Sequence, residues 1–204
     1  MPFFTVACIV EGRGEEAAVP ILVRRIVLLV NSNLWADVRA PIKQHRGTLL
    51  SEGGLEKAVE LAIRGLPEPG MVLVIIDSDD DCPKTLAPLL LARAERVAAS
   101  RRPVAVVLAH REFECWFIAA AKSLAGHSGL PPDLIAPPDP ESIRGAKEWL
   151  RRNMAFGRTY SPAIDQPALT NRFDIEAARA APSFDKLYRE IERFCALVSS
   201  NDPA

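Results

Sequence analysis

Residues Met71–Asp81 read MVLVIIDSDDD: an unbroken apolar run, Met71–Ile76, that stops at Asp77-Ser78-Asp79-Asp80-Asp81. A strand with one wet face alternates apolar and polar residues. A run apolar at every position is covered on both faces, as in a parallel sheet. Similar segments flank it. Phe3–Val10 is rich in β-branched and aromatic residues, and Pro103–Ala109 is again continuously apolar. Leu34–Ile42 is expected to add a strand. Between these lie helical periodicities over Glu15–Val30 (Val19, Leu22, Ile26 and Leu29 on one stripe), Leu55–Arg64 and Lys84–Ser100. Pro20 is expected to draw the start of the first helix towards itself. His110-Arg111-Glu112-Phe113-Glu114 is expected to open a further helix directly. Strand and helix thus alternate over positions 3–125, which predicts an α/β domain with a mostly parallel sheet flanked by helices.

The character changes at Pro131–Pro140 (PPDLIAPPDP), a stiff, proline-rich connection. This divides the chain into an α/β domain, 1–130, and a helical extension, 131–204, expected to pack on it. Asp139-Pro140-Glu141 has the form of a helix start, with Asp as cap and Pro in the first turn. The segment 141–153 is basic, with Arg144, Lys147, Arg151 and Arg152 against Glu141 and Glu148. Ser183–Val198 places Leu187, Ile191, Phe194 and Val198 on one helical face.

The 204 residues include 25 Lys+Arg and 26 Asp+Glu, a formal charge of −1. Wholesale electrostatic wrapping of nucleic acid calls for a basic excess, and an acidic disordered tail is incompatible with 49% hydrophobic residues. The length suits one domain with a small appendage. Cys8, Cys82, Cys115 and Cys195 form no CxxC pair, so a zinc knuckle is not supported. The run Phe3–Val10 is too short for a membrane span, and Ile21–Val30 is broken by Arg24 and Arg25. A soluble cytoplasmic protein with no membrane partner is expected.

Ligands of open α/β sheets bind beyond the carboxyl ends of the strands. Two strands end there in acids: the first at Glu11, with Glu15 one helical turn on, the other at Asp77, Asp79 and Asp81. Asp77 and Asp79, two apart on extended chain, can aim at one spot. Such a cluster repels itself unless it holds a cation. Oxygen ligands without His or Cys favour magnesium or manganese over zinc, and such ions can hold a phosphodiester and activate water. The plainer alternative is a solvated acidic turn, with the helix acid favoured by the macrodipole.

Val10-Glu11-Gly12-Arg13-Gly14-Glu15 resembles the EGxxE signature of topoisomerase–primase (TOPRIM) domains, and Asp77-Ser78-Asp79 resembles their DxD motif. His110-Arg111-Glu112-Phe113-Glu114-Cys115-Trp116-Phe117 is similar to the HEFE-type motif of the TOPRIM-like family catalogued as domain of unknown function 4276. Tyr160–Gln166 and Pro182-Ser183-Phe184 are similar to that family's C-terminal segment. Relatives include nucleases of the overcoming-lysogenization-defect type. The resemblance implies a metal-dependent phosphodiesterase acting on nucleic acid, DNA in preference to RNA, in defence against phage or mobile elements. It implies an ATPase partner encoded nearby and leaves a homodimer open. It assigns Glu11, Asp77 and Asp79 to a first magnesium or manganese ion, and Glu15 and Glu114 to a second ion or to general-base work. If the segment is already helical, Glu112 and Glu114 diverge by about 200°; Glu114 is then the one expected to face the site, and Glu112 reads as a surface acid.

Phosphoryl transfer also needs a cation for the transition state. The Ser-Lys-Arg run frequent in the family is absent, and Lys147 is its stand-in, with Arg144 next. A solvated basic helix face explains these residues equally well. His110 suits an acid–base or a structural role; Tyr160 and Gln166 suit nucleic-acid contact or the core; Trp116, Phe117 and Trp149 suit the core. Two other functions compete: a non-catalytic TOPRIM-like binding or regulatory module, and a haloacid-dehalogenase-type phosphatase with Asp77 as nucleophile. The latter normally carries its DxD after the first strand, unlike this chain.

Overall fold

A computed structural model describes residues 3–200; positions 1–2 and 201–204, the outer ends of the two segments proposed above, lie outside the described residues. Five strands, β1 (Phe3–Val10), β2 (Trp35–Val38), β3 (Ile42–Lys43), β4 (Gly70–Asp77) and β5 (Val104–Ala109), form one sheet in the order β2-β1-β4-β5, with β3 also on β1. All pairings are parallel. The fold is α/β, as the apolar runs predict.

The helices are α1 (Arg13–Val30), α2 (Arg46–Leu50), α3 (Gly54–Ile63), α4 (Pro83–Ala98), α5 (Cys115–Ala119), α6 (Ala121–Leu124), α7 (Ala146–Asn153), α8 (Pro162–Thr170), α9 (Ile175–Ala178) and α10 (Pro182–Ser200). The period-two alternation of the strands sorts the core into two layers. Phe4, Val6, Cys8 and Val10 of β1, with Leu73 and Ile75 of β4, face α1 and α10. Ala7 and Ile9, with Val72, Val74 and Ile76, face α3 and α4. Every residue of β4 is buried. This two-sided cover explains why its sequence shows no polar alternation.

Several sequence expectations are corrected. Leu34–Ile42 is not one strand: β2 lies along Phe3–Val6 and β3 along Ile9–Val10, with a break around Pro41, which has no N–H for a ladder. Pro20 does not set the start of α1. The helix begins at Arg13 and carries Pro20 inside it, forgoing the bond to the Glu16 carbonyl. Asp139-Pro140-Glu141 opens only a short 3-10 turn, Pro140–Ser142, with Asp139 accepting from the Ser142 N–H; α7 starts separately at Ala146.

The segment after β5 is not helical until Cys115. Hydrogen bonds to the loop after β4 hold it open. Ser78 N–H donates to the Ala109 carbonyl at 2.9 Å and Asp79 N–H to the Arg111 carbonyl at 3.1 Å. Arg111 N–H donates to Ser78 Oγ at 2.8 Å, with Arg111 at φ +64. Phe113 N–H donates to Asp77 Oδ1 at 2.8 Å. The two loops are laced together.

Past the proline-rich stretch, α8 and α10 lie against α1, and Phe173, Phe184, Leu187 and Ile191 enter the same core as β1. Arg25 of α1 ties down the end of α8, donating to the carbonyls of Thr170 (2.6 Å) and Phe173 (2.8 Å). Among the described residues no helix is long and apolar enough to cross a membrane. The four cysteines are free thiols.

Gly14 sets how closely α1 and α8 approach. A Cβ there would lie 1.8 Å from Gln166 Oε1 and 2.5 Å from the Pro162 carbonyl oxygen. The backbone oxygen cannot swing away, so Gly14→Ala forces the helices apart. The expected cost is about 1–3 kcal/mol, typical of overpacking, measured as a lowered midpoint in urea unfolding; an unchanged midpoint would contradict the packing described.

Candidate functional site

The parallel sheet sends the ends of β1 and β4 to one edge, where Glu11 and Asp77 stand side by side in sheet order. An open cavity of about 340 Å³ lies at this edge, lined by Glu11, Gly12, Arg13, Gly14, Glu15, Asp77 and Lys147 together with Ser161–Ala163 and Gln166 of the α8 start. Five of the residues singled out from sequence, Glu11, Glu15, Asp77, Lys147 and Gln166, therefore share one cavity.

Lys147 is the hub. Its Nζ lies 3.3 Å from Glu112 Oε1, 3.4 Å from Glu114 Oε2 and 3.6 Å from Asp77 Oδ2. Its own N–H also donates to Glu112 Oε2 at 3.0 Å. Both acids of the 110–117 motif thus reach the lysine. The expectation that only Glu114 would face the site, with Glu112 a surface acid, assumed a helix through them; the turn before α5 is not helical, and Glu112 is turned to Lys147. Burial works against the ammonium, but Glu114, Asp77 and Glu112 outweigh it and hold Lys147 above the ordinary lysine range.

Glu114 is fully buried, and each oxygen has a distinct neighbour. Oε1 accepts from the Tyr160 hydroxyl at 2.9 Å and from Gln166 Nε2 at 2.8 Å; Oε2 faces Lys147. Burial pushes the Glu114 carboxyl up, and Lys147 and Tyr160 draw it back. Tyr160 and Gln166, weighed from sequence as nucleic-acid contacts or core residues, are buried supports of this carboxylate. Asp77 is buried too. Desolvation, followed by the charge of Glu15, pushes it well above the usual carboxylate range.

Glu15 caps the start of α1: its Oε2 accepts from the N–H groups of Glu11 (2.9 Å) and Gly12 (3.2 Å). Burial raises it to about 7 despite those two bonds. Burial and then Asp79 push Glu11 upwards, and Glu11 Oε2 is buried with no hydrogen-bond partner. Asp79 stands apart from the cavity lining, with its side chain 61% exposed and 3.4 Å from Arg46 Nε. Among the described residues no three or more His, Cys, Asp or Glu side chains are grouped so as to hold a metal ion. The expected ligand set Glu11, Asp77, Asp79 and Glu114 is therefore not assembled as a cage: Glu114 is engaged by Tyr160, Gln166 and Lys147, and Asp79 lies on the rim.

Arg46 is a site residue that sequence reasoning missed. It donates to the carbonyls of Asp77 (3.0 Å) and Ser78 (3.2 Å) and pairs with Asp79 and Asp81. It sits in a short helix, α2, with no local pattern to announce it, and only the tertiary fold brings it to the acidic run. Asp80 is paired outward, with Arg144 at 2.6 Å and Arg111 at 3.5 Å. Trp116 is a core residue whose Nε1 donates to Ser183 Oγ at 2.8 Å.

The profile of the family described as Domain of unknown function (DUF4276) matches residues 10–192, and the chain belongs to that family. No curated protein and no solved structure matches the chain.

The folded chain binds the Glu15 proton more tightly than the unfolded chain, so its contribution to stability is fully present below the ordinary value of 4.5 and is lost as pH rises through about 7. Without divalent ions, the thermal midpoint should therefore fall between those values, and Glu15→Gln should flatten the fall; an unchanged profile would sink the assignment. Tyr160→Phe removes one of two donors to a buried carboxylate oxygen. It should cost about 1.5–3 kcal/mol in chemical unfolding, the range for hydrogen bonds to charged groups, whereas a surface tyrosine would cost next to nothing.

Proposed function

We propose that the chain is a metal-dependent phosphodiesterase of the TOPRIM type acting on nucleic acid, DNA in preference to RNA. The observation carrying this reading is that Glu11, Asp77 and Lys147 line one open cavity at the carboxyl edge of a parallel sheet. The donors suit a hard cation. The lining offers carboxylate oxygens without His or Cys, and Glu11 Oε2 is a buried acceptor lacking a partner. Magnesium is commonly held by one or two carboxylates, with water and substrate phosphates completing its shell, so a closed cage of protein ligands is not required. Glu11 and Asp77 would hold the ion, with Asp79 and Glu114 as outer candidates; when bound, it supplies Lewis acidity and lowers the pKa of water.

The remaining work falls to the chain. Phe113 N–H fixes Asp77 Oδ1, which leaves Oδ2 on the side of Lys147. Lys147 presents a positive charge at the cavity wall, where charge builds on a transferring phosphoryl group. Glu114 positions that lysine through Oε2 while Tyr160 and Gln166 hold its other oxygen. Glu15 orders the backbone that carries Glu11. An ATPase partner and a role in defence against mobile DNA are part of the proposal on the strength of the TOPRIM resemblance, which leaves a homodimer open.

One observation favours a second reading, a non-catalytic binding module: the Lys147 ammonium already answers the charge of Asp77, Glu112 and Glu114. Plasmid nicking in magnesium or manganese separates the two. The enzyme reading expects metal-dependent nicking, reduced at least about 100-fold in Asp77→Asn, Glu11→Gln and Lys147→Met, on the scale of losing one transition-state stabiliser. Intact DNA and RNA after incubation with the protein, alone and with an ATPase encoded beside it, would remove the nuclease reading.

A further inference from the structure

The formal charge is unevenly placed. Residues 144–158 hold Arg144, Lys147, Arg151, Arg152 and Arg158 against the single acid Glu148, a net of 5 − 1 = +4, so the other 189 residues carry −5 of the total −1. Lys147 points into the site. The others face outward: Arg144 is 71% exposed, and Arg151 and Arg158 are about half exposed. The ion pairs Arg144–Asp80 and Arg151–Glu148 are exposed on both sides and yield readily to phosphate, whereas Arg158 is held by the buried carboxylate of Asp165. Arg152 makes no ion pair among the described residues.

Within this basic stretch, Phe156 is completely exposed. It occupies the tip of a defined turn: Arg158 N–H donates to the Ala155 carbonyl at 3.0 Å, Ala155 N–H donates to the Gly129 carbonyl at 2.8 Å, and Gly157 takes φ +81. The backbone that carries the exposed ring is an ordered turn rather than a loose loop. Five residues further on, Ser161 lines the cavity. A chain of that length spans at most about 18 Å, so the ring lies within a few nucleotides of the cavity.

An exposed aromatic in a basic segment, a few residues from a cavity proposed to handle phosphates, fits the pattern by which proteins take unpaired strands. The ring stacks on a base face, and the cations follow the backbone. In a duplex those base faces are already stacked on one another. We infer that the turn Ala155–Arg158 is a stacking platform, and that the substrate class of the adjoining site is single-stranded nucleic acid or a frayed end. The inference rests on the nucleic-acid reading of the cavity but concerns binding, which can be measured without cleavage.

The test uses a fluorescein-labelled 20-nucleotide single strand and the matching blunt duplex, with anisotropy titrations in EDTA and in calcium. The wild-type chain should bind the single strand more tightly than the duplex. Phe156→Ala should weaken single-strand binding about tenfold, within the range for losing one base–aromatic stack, and Phe156→Trp should restore it. Arg152→Ala should weaken both ligands and make the salt dependence shallower by about 0.7 for the single strand. A platform of this kind is overturned by equal binding of Phe156→Ala and wild type, by preference for the duplex, or by no binding of either probe. Phe156 makes no core contact, so the unfolding midpoint of Phe156→Ala should match wild type, which separates lost binding from lost fold. Single-strand binding that depends on Phe156, with no cleavage in magnesium or manganese by the chain alone or with the ATPase encoded beside it, keeps this inference and removes the phosphodiesterase; cleavage with no effect of Phe156 does the reverse.

Discussion

A single ammonium makes the polar centre of this fold tolerable. Asp77 and Glu114 are buried and Glu112 largely so, and three carboxylates together would repel one another and resist desolvation. Lys147 Nζ reaches all three. The lysine comes from α7, beyond the proline-rich connection, and the acids come from the end of β4 and the turn between β5 and α5. The helical segment is thus tied to the sheet by charge as well as by the apolar packing of α8 and α10 on α1. Tyr160 and Gln166, from the same C-terminal part, reinforce the link through Glu114.

The sheet was legible in the sequence because burial on two faces leaves an unmistakable mark. Val72, Val74 and Ile76 serve one layer and Leu73 and Ile75 the other, and the result is a run with no polar residue. Helices with strong apolar stripes, such as α1 and α10, were equally plain. Short elements fixed from outside were not. The turn after β5 owes its shape to Ser78 and Asp77, more than thirty residues away in the chain. The split between β2 and β3 depends on which part of β1 each one meets. Helices α2, α8 and α9 are too short or too weakly patterned to stand out.

The site was legible in part, and the division follows the same line. Glu11 and Asp77 end buried strands, and the topology of a parallel sheet brings such ends together. Lys147 was reached through family resemblance rather than through spacing, since nothing local sets it apart from Arg144 or Arg151. The partners chosen by tertiary contact were hidden: Arg46 beside the acidic run, Glu112 beside the lysine, and Tyr160 and Gln166 beneath Glu114. Whether a polar residue serves the core or the cavity depends on the neighbours that the fold supplies.

The lacing between the loops after β4 and β5 gives Ser78 an unexpected standing. It is fully buried, its N–H and hydroxyl both engage the other loop, and it lies between Asp77 and Asp79. In this chain the middle position of the D-S-D run is a rivet, not a spacer. The ladder between β4 and β5 ends at Asp77 and Ala109, and Ser78 carries the joining one step beyond it, so the two loops form one rigid lip and the placing of Asp77 against Glu112 and Glu114 rests partly on an uncharged residue.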